Sequence, residues 1–313
     1  MRDVFAQTAR WLEERRSFAL ATLVELREAR TAPLGTTLAV DASGRIVGNI
    51  GAGCYEGEIV EAARLTAADG RTRALAINLT EDDALLGGTA CGAMMELVVW
   101  RPHAGFVGDA RAIAGGERDV ALKLRYERGG SPRAFEHVFP ARDALIVVGA
   151  TSLAAEIAAI ARRLDFKVVV VDPRPAFATR ERVPDADEIA IAWPDEYLPG
   201  ALGPHTSVVA LSHDPKLDIP ALRCALDSPA PYVGLLGSRR AQAARREALR
   251  EEGVGDEAIA RIHGPAGLDI GGATAAETAL SILSELIAVH HHGSGLPLGT
   301  SDGAIHPAPA PRT

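Results

Sequence analysis

The chain has 313 residues, with 33 Lys and Arg against 41 Asp and Glu, and its formal net charge is −8 with a sequence pI near 5.6. This acidic balance argues against a generic binder of nucleic acid or of an anionic membrane. Hydrophobic residues make up 47% of the chain, which is enough for about two domains with a core each. Three cysteines are too few and too scattered for a disulfide framework, so we expect a reducing, cytoplasmic location.

The amino-terminal residues predict a helix and not a leader segment. Val4, Phe5, Trp11 and Leu12 follow helical spacing, and charged residues interrupt any apolar run. No stretch of the chain reaches 18 apolar residues without a charge. We therefore expect neither a signal peptide nor a membrane span.

Alternating apolar runs in the first hundred residues predict a mixed α/β domain. A turn of composition D-A-S-G at 41–44 joins the second and third predicted strands in a hairpin. The predicted elements are a helix up to residue 16, strands at 17–26, 36–40, 45–50, 73–79 and 94–100, and a helix over 56–65.

Residues 48–57, which read G-N-I-G-A-G-C-Y-E-G, form a glycine-rich turn between a strand and a helix. Gly51, Gly53 and Gly57 permit a close backbone approach, and the free amides of a helix start attract anions. A thiol in this position, Cys54, is expected to ionise below its usual pKa of about 8.5. A phosphate-bearing, soft-metal or sulfur-bearing ligand would suit the turn, and a tight turn around a small buried cysteine is the alternative.

A second glycine turn holds another thiol, with Cys91 and Gly92 in the run G-G-T-A-C-G at 87–92. The two cysteines are 37 positions apart, and their turns could converge on one pocket. Zinc is a poor interpretation because there is no C-x-x-C and His103 is the only histidine in this part of the chain. Cys224 lies in a helical apolar pattern and is interpreted as a core residue.

The stretch 105–139 is polar and punctuated by glycine, with short strands such as 120–124. We interpret it as the edge of the first domain followed by a linker. The predicted domains are 1–104, a connecting region at 105–142, a second domain at 143–290, and a disordered Gly/Pro-rich tail at 291–313.

The second half predicts a Rossmann-like, doubly wound parallel sheet. A buried strand at 143–149 is followed by a helix at 152–164 and a valine-rich strand at 167–171. The run 183–191 leads into another short strand, and further strands follow at 207–211 and 232–236. Asp172 follows Gly149 by 23 positions, close to the spacing expected for an acidic residue that contacts a nucleotide ribose. The glycine fingerprint is altered, since Thr151 takes the second glycine position and Ala154 the third.

Two polar groups follow later strands of this sheet, where ligands bind in such folds. His213 and Asp214 are a candidate site pair, or an ordinary turn closed by Pro215. Ser238, Arg239 and Arg240 stand at a helix start as a candidate anion site, or as a solvated basic end. A capping box at residues 274–277 predicts the start of the last helix.

Taken in order, these motifs resemble the XdhC/CoxI family over about residues 15–290. The motifs are the two cysteine turns, S-H-D-P-K-L-D at 212–218, G-L-L-G-S-R-R at 234–240, and H-G-P-A-G-L-D-I-G at 263–271. The departures are Ala93 in place of a glycine, the altered glycine turn after Gly149, and an S-x-P-R segment reduced to Thr31-Ala32-Pro33.

The resemblance implies an accessory chaperone for molybdenum hydroxylases such as xanthine dehydrogenase. Such proteins bind molybdenum cofactor (molybdopterin), meet a cysteine desulfurase that supplies the terminal sulfur, and insert the cofactor into the client enzyme. The family's two thiol positions fall on Cys54 and Cys91, with Cys54 as the molybdenum contact. Homodimerisation is expected on the general frequency of two-fold symmetry.

Two other functions remain open. The first is an NAD(P)-dependent oxidoreductase that uses Gly149 and Asp172. The second is a thiol or persulfide-transfer enzyme that uses Cys54 and Cys91, and it requires the two sulfurs to lie within bonding reach.

Overall fold

The computed structural model describes residues 1–27, 32–50, 56–78 and 94–300, and the chain divides into two compact units, Met1–Ala141 and Arg142–Thr313. The described helices include none with the length and apolar character needed to cross a membrane. Gly51, Gly53, Cys54, Cys91 and Gly92 lie outside the described residues, as does the tail from residue 301.

The first unit is built on a five-stranded antiparallel sheet with the strand order β3-β2-β1-β5-β4. Helices cover both of its faces, so that alternate residues of each strand enter different cores. The elements are α1 (Arg2–Glu13), β1 (Phe18–Arg27), β2 (Thr37–Asp41), β3 (Ile46–Val47), α2 (Glu56–Asp69), β4 (Arg73–Asn78) and β5 (Met94–Trp100).

The two cores explain why β1 and β5 read as continuous apolar runs. Ala19, Ala21 and Leu23 of β1 face α2, whereas Phe18 and Leu20 face the opposite core. Burial on both faces removes the polar half of the usual alternation. The predicted positions of these strands are confirmed, although β3 is shorter than the predicted 45–50 run.

Residues 105–139 form more regular structure than the short strands predicted from their polar composition. A 3₁₀ turn (Ala104–Phe106) leads into α3 (Val107–Gly115), and β6 (Val120–Arg128) pairs with β7 (Ser131–Phe139) in a separate two-stranded sheet. The inner side chains of these elements join α1 in the core of the first unit. The sequence predicted too little regular structure here because the outer face of the hairpin is exposed and polar.

The second unit is a six-stranded parallel sheet with the order β10-β9-β8-β11-β12-β13. Numbered from its own first strand, this is the 3-2-1-4-5-6 order of a dinucleotide-binding Rossmann fold. The strands are β8 (Ala144–Val148), β9 (Lys167–Val171), β10 (Glu188–Ala190), β11 (Thr206–Ala210), β12 (Val233–Leu235) and β13 (Ile262–His263).

Helices pack on both faces of this parallel sheet, which confirms the prediction of a doubly wound fold. The first and last helices cover one face, and the middle ones cover the other. They are α4 (Ser152–Arg163), α5 (Pro194–Tyr197), α6 (Pro215–Leu226), α7 (Arg239–Glu251), α8 (Asp256–Ala260) and α9 (Ala275–His290). The short elements α8 and β13 were not predicted, because two to five residues carry too little periodicity.

Candidate functional site

Both cysteine-bearing segments of the first unit are attached at the same end of its antiparallel sheet. The register pairs Arg27 with Met94 and Asn78 with Met94, so β1 ends, β4 ends and β5 begins at this end. The segment with Cys91 joins β4 to β5, and therefore leaves and re-enters the sheet here. We call this the cysteine end of the first unit.

The segment with Cys54 also leaves from the cysteine end. β3 runs antiparallel to β2, from the partner of Val40 towards the start of β2 at Thr37. Thr37 pairs with Thr22 in the half of β1 that leads to Arg27. The chain then reaches the first turn of α2. The topology therefore brings the described flanks of both thiol segments to one end of the sheet, and a shared pocket stays a prediction.

Two glycines of the first predicted turn lie within the described residues, and they have different roles. Gly48 has φ +92°, and a Cβ there would lie 2.6 Å from Val4 Cγ2 and 3.1 Å from the Thr37 carbonyl oxygen. This position requires glycine for the close passage of the chain. Gly57, in the first turn of α2, has nothing within 4 Å of an added Cβ and leaves open surface at the helix start.

A cavity of about 450 Å³ lies at the carboxyl ends of the central strands of the second unit. The strand order reverses between β8 and β11, and such switch points are the usual ligand sites of open α/β sheets. Of the predicted site residues, His213 lines this cavity. The lining residues are Thr151, Ser152, Leu153, Leu211, His213, Leu236, Gly237, Pro265 and Thr278.

Gly149 has a packing role at this edge. Its φ is +103°, and a Cβ there would come within 3.0 Å of the Ser212 Cα. Thr151, which replaces the second glycine of the fingerprint, caps α4, with its Oγ1 accepting a hydrogen bond from the Ala154 amide at 3.2 Å. One donor that a pyrophosphate would use at the start of this helix is thereby occupied.

Asp172 is completely buried, and its carboxylate accepts four hydrogen bonds. The donors are the Ala150 amide at 2.8 Å and, from Arg174, the backbone amide at 3.0 Å, Nε at 2.8 Å and Nη2 at 2.7 Å. Burial alone would raise the pKa of Asp172, but the hydrogen bonds from Arg174 and Ala150 hold it below its ordinary value. A carboxylate has about four acceptor sites, so a ribose contact here would require displacement of Arg174.

His213 and Asp214 have separate roles in the structure. Asp214 caps α6, and its Oδ1 accepts a hydrogen bond from the Lys216 amide at 3.0 Å. His213 is exposed and has φ +59°, a left-handed conformation that is uncommon outside glycine. Its carbonyl oxygen accepts a hydrogen bond from Arg245 Nη2 at 2.7 Å, which helps to hold this conformation.

A buried ion pair that the sequence analysis missed supports the His213 turn. The side chain of Asp218 is 1% exposed and lies 3.0 Å from Arg245 Nη2, and it also accepts a hydrogen bond from Ser212 Oγ at 2.6 Å. The available signal was an acidic residue between Leu217 and Ile219 on the buried side of α6. Its partner is 27 positions away, which the local pattern does not reveal.

The predicted anion group at 238–240 begins α7. Ser238 caps the helix, with its Oγ accepting a hydrogen bond from the Ala241 amide at 3.3 Å, and Arg239 and Arg240 are exposed. Gly237, just before the cap, has φ +131° and contacts the cavity. The structure therefore leaves the two arginines available to solvent and uses the serine for the helix.

A polar network beneath the H-G-P-A-G motif was also missed. The Tyr232 hydroxyl, in a fully buried side chain, donates to Glu285 Oε2 at 2.7 Å, and the Gly267 amide donates to the same oxygen at 2.8 Å. His263 Nδ1 lies 3.2 Å from the other carboxylate oxygen. Burial raises the pKa of Tyr232, and the charge of Glu285 adds to the rise.

Comparison with known proteins places both units in one family. The model described as the XdhC and CoxI family matches residues 11–78, and the model described as the XdhC Rossmann domain matches residues 145–286. The chain is 26% identical to the uncharacterised protein YqeB of Escherichia coli K12 over 94% of its own length, but it spans only 47% of YqeB.

Two further matches extend over most of both chains. The molybdenum cofactor insertion chaperone PaoD of Escherichia coli K12 is 26% identical over 87% of this chain and 83% of its own. A crystal structure of a xanthine dehydrogenase from Bacillus halodurans has the same fold, with a TM-score of 0.75 over 91% of this chain and 95% of that one at 20% identity. From its two family-model matches, which together span more than half of its length, the chain belongs to the XdhC and CoxI family.

Proposed function

We propose that this chain is an accessory chaperone that binds molybdenum cofactor and inserts it into a molybdenum hydroxylase of the xanthine dehydrogenase class. The observation that carries the proposal is the match along nearly the whole chain to a relative named as a molybdenum cofactor insertion chaperone. Family membership of both units supports it. A cysteine desulfurase is the proposed sulfur donor, the cytoplasm is the proposed location, and a homodimer is the proposed assembly.

The cysteine end of the first unit is the proposed cofactor site. Strand topology attaches the segments that carry Cys54 and Cys91 to the same end of the sheet. A thiolate is a soft ligand of the kind that suits molybdenum or sulfur, and the glycine turn at Cys54 suits a phosphate. We assign the principal contact to Cys54, with Cys91 in support.

The test measures molybdopterin that stays with the protein after anaerobic mixing and desalting. We expect wild type to retain about one cofactor per chain and Cys54→Ala to lose most of it while remaining folded. Cys224→Ala is the matched control, because Cys224 lies in α6 of the other unit and burial raises the pKa of its thiol. Full retention by Cys54→Ala would remove Cys54 from the site, and no retention by wild type would contradict the function.

An NAD(P)-dependent oxidoreductase is the second candidate, favoured by the strand order and the cavity at the switch point. The hydrogen bonds that already fill the Asp172 carboxylate count against it. Millimolar nicotinamide nucleotide should raise the melting temperature of the protein if this candidate holds. An unchanged melting temperature would eliminate it.

A further inference from the structure

Two arginines lie on one face of the β6–β7 hairpin near its tip, in a chain whose net charge is −8. Arg128 ends β6, and Arg133 of β7 is paired in register with Tyr126. Residues paired in this way share one face, and the diagonal neighbour Arg128 is within reach of a long side chain. We call Arg128 and Arg133 the hairpin arginines; Arg125, which is paired with Ala134, lies on the opposite face.

A cavity of about 620 Å³ lies against the hairpin arginines. Arg133 lines it and has no ion pair with another residue in the described part of the chain, and Arg128 is its diagonal neighbour on the same face of the hairpin. Its size is in the range of small-molecule sites. The lining residues are Arg125, Tyr126, Glu127, Pro132, Arg133 and Ala134.

Glu96, on β5 beside this cluster, is a buried carboxyl group with unmet hydrogen-bonding capacity. Its side chain is 1% exposed; its Oε2 contacts the Arg128 guanidinium, and its Oε1 has no hydrogen-bond partner among the described residues. Burial raises the pKa of Glu96, with a contribution from the charge of Glu25, although Arg128 opposes the rise. Such a group is costly for folding, so its presence calls for a functional reason.

One guanidinium nitrogen of Arg128 contacts two carboxylates. This Nη1 lies 2.5 Å from Glu96 Oε2 and 3.2 Å from Glu25 Oε2. Glu25 already has Arg27 Nε at 2.6 Å, and this hydrogen bond lowers the pKa of Glu25. Arg128 Nη2 faces the Met94 sulfur at 3.8 Å, a weak acceptor. That nitrogen is the donor with most to gain from an anion.

We propose that the hairpin arginines bind the phosphate group of a phosphate-bearing ligand, and that a proton on Glu96 frees Arg128 for that phosphate. Arginine recognises phosphate through paired N–H donors. With Glu96 neutral, Glu25 remains paired with Arg27, and Arg128 is able to donate to the phosphate. With Glu96 charged, two carboxylates compete with the phosphate for Arg128. The charged and titratable groups that face Glu96 are Glu25 from β1, Tyr126 and Arg128 from β6, and Arg133 from β7, while Arg27 contacts Glu25.

This site deepens the proposed function and depends on it only for the name of the ligand. The cluster lies at the cysteine end, because Glu25 is two residues from the end of β1 and Glu96 is two residues from the start of β5. Molybdopterin carries a terminal phosphate, and free phosphate offers the same chemistry.

Sulfate is the probe for the site, since it keeps its two charges between pH 5 and pH 8, so any pH dependence of binding comes from the protein. Calorimetric titration of the full chain at pH 5 should show that Arg133→Ala weakens sulfate binding by about tenfold. Lys123→Ala, which removes a positive charge from the same hairpin outside the cavity, should not change it. Equal affinities in wild type and Arg133→Ala, or equal losses in both variants, would overturn the site.

The role of Glu96 is tested by the pH profile of the same titration. Wild-type affinity should fall as the pH rises from 5 to 8, whereas Glu96→Gln should bind at pH 8 as tightly as wild type does at pH 5. If sulfate binding to Glu96→Gln showed the same pH profile as wild type, the role proposed for Glu96 would be overturned. If that variant does not fold, Glu25→Gln replaces it, with tighter sulfate binding expected because Arg128 loses a competing partner, and unchanged binding contradicting the proposal.

Competition separates the two sources of phosphate. Displacement of sulfate by molybdopterin, weakened in Arg133→Ala, would identify the cofactor's phosphate as the ligand. Displacement by inorganic phosphate alone would identify a free-phosphate site, and displacement by neither would overturn the proposal. Cofactor retention in the Cys54→Ala experiment is measured independently, so failure of this site and failure of the chaperone function are distinguishable.

Discussion

The two candidate ligand regions differ in how their polar side chains are paired. At the carboxyl edge of the second unit, Asp172, Asp214 and Ser238 each have internal hydrogen-bond partners, as helix caps or in a buried cluster. At the hairpin of the first unit, the buried Glu96 contacts Arg128 through one oxygen and has no hydrogen-bond partner at the other, and Arg133 has no ion pair among the described residues. A Rossmann strand order therefore does not by itself identify the region with free binding capacity, and the pairing of each polar group is the more informative observation.

The largest expected effect tests how firmly the second unit depends on its internal pairs. Asp218→Ala leaves Arg245 buried, with its side chain 11% exposed, and without its carboxylate partner. Breaking a buried pair by removing one partner costs about 3–5 kcal/mol. Urea unfolding followed by fluorescence should show this loss in the free energy of unfolding.

Asp185→Ala is the matched control for that variant. Asp185 pairs with Arg162 at 3.0 Å, but both side chains are about half exposed. Exposed pairs contribute little, so its stability should remain close to that of wild type. Similar losses in the two variants would contradict the view that the Asp218 pair supports the cavity edge.

The next effect in size concerns the hydrogen bond between Tyr232 and Glu285. Tyr232→Phe removes the hydroxyl that donates to Glu285 at 2.7 Å and leaves a partly buried carboxylate short of one donor. We expect a loss of about 1–2 kcal/mol in the free energy of unfolding. Tyr197→Phe removes a similar hydrogen bond, to Glu188 at 2.8 Å, from a half-buried tyrosine and should cost less. The reverse order would show that the Glu285 network is not a structural support.

A smaller effect is expected at the start of α9. Thr274 Oγ1 accepts a hydrogen bond from the Glu277 amide at 3.2 Å, and Glu277 in turn accepts from the Thr274 amide at 2.8 Å. Thr274→Ala should lower stability by about 1 kcal/mol, the usual value of such a cap. Thr278→Ala, one turn further along the helix, should not lower it. Thermal unfolding of both variants measures the difference.

The strands and the capping box could be predicted because their signals are local. Five-residue valine-rich runs such as Lys167–Val171 are buried on both faces, and the pair Thr274 and Glu277 is three positions apart. The length of the β6 and β7 strands was underestimated because exposed residues of the outer face alternate with inward-facing ones along both strands. Local composition there resembles that of a linker.

The pairs that define the candidate sites could not be predicted, because their partners are far apart in the chain. Arg128 meets Glu25 across 103 positions, and Arg245 meets Asp218 across 27. Glu96, within the apolar run of β5, was the one local sign of the cluster that it forms with Glu25 and Arg128. At Asp172 the local spacing from Gly149 indicated a ribose contact, but it gave no sign that Arg174 would be the partner of the carboxylate.

The smallest expected effect separates the two carboxyl groups beside Arg128 by the sign of their pH dependence. The pKa of Glu96 is raised by burial above the unfolded value, so its contribution to stability is greatest at low pH and is lost as the pH rises through the folded pKa. The pKa of Glu25 is lowered by its hydrogen bond from Arg27, so its contribution is present at neutral pH and is lost as the pH falls. Glu96→Gln should therefore gain stability relative to wild type as the pH rises from 5 to 8. Glu25→Gln should be less stable than wild type by a constant amount over that range, and the deficit should shrink only as the pH falls below the ordinary pKa of a glutamate. Urea unfolding at several pH values measures both differences. Parallel profiles would mean that the two carboxyl groups share one environment, and the contrast between a charged Glu25 and a proton-holding Glu96 would then be wrong.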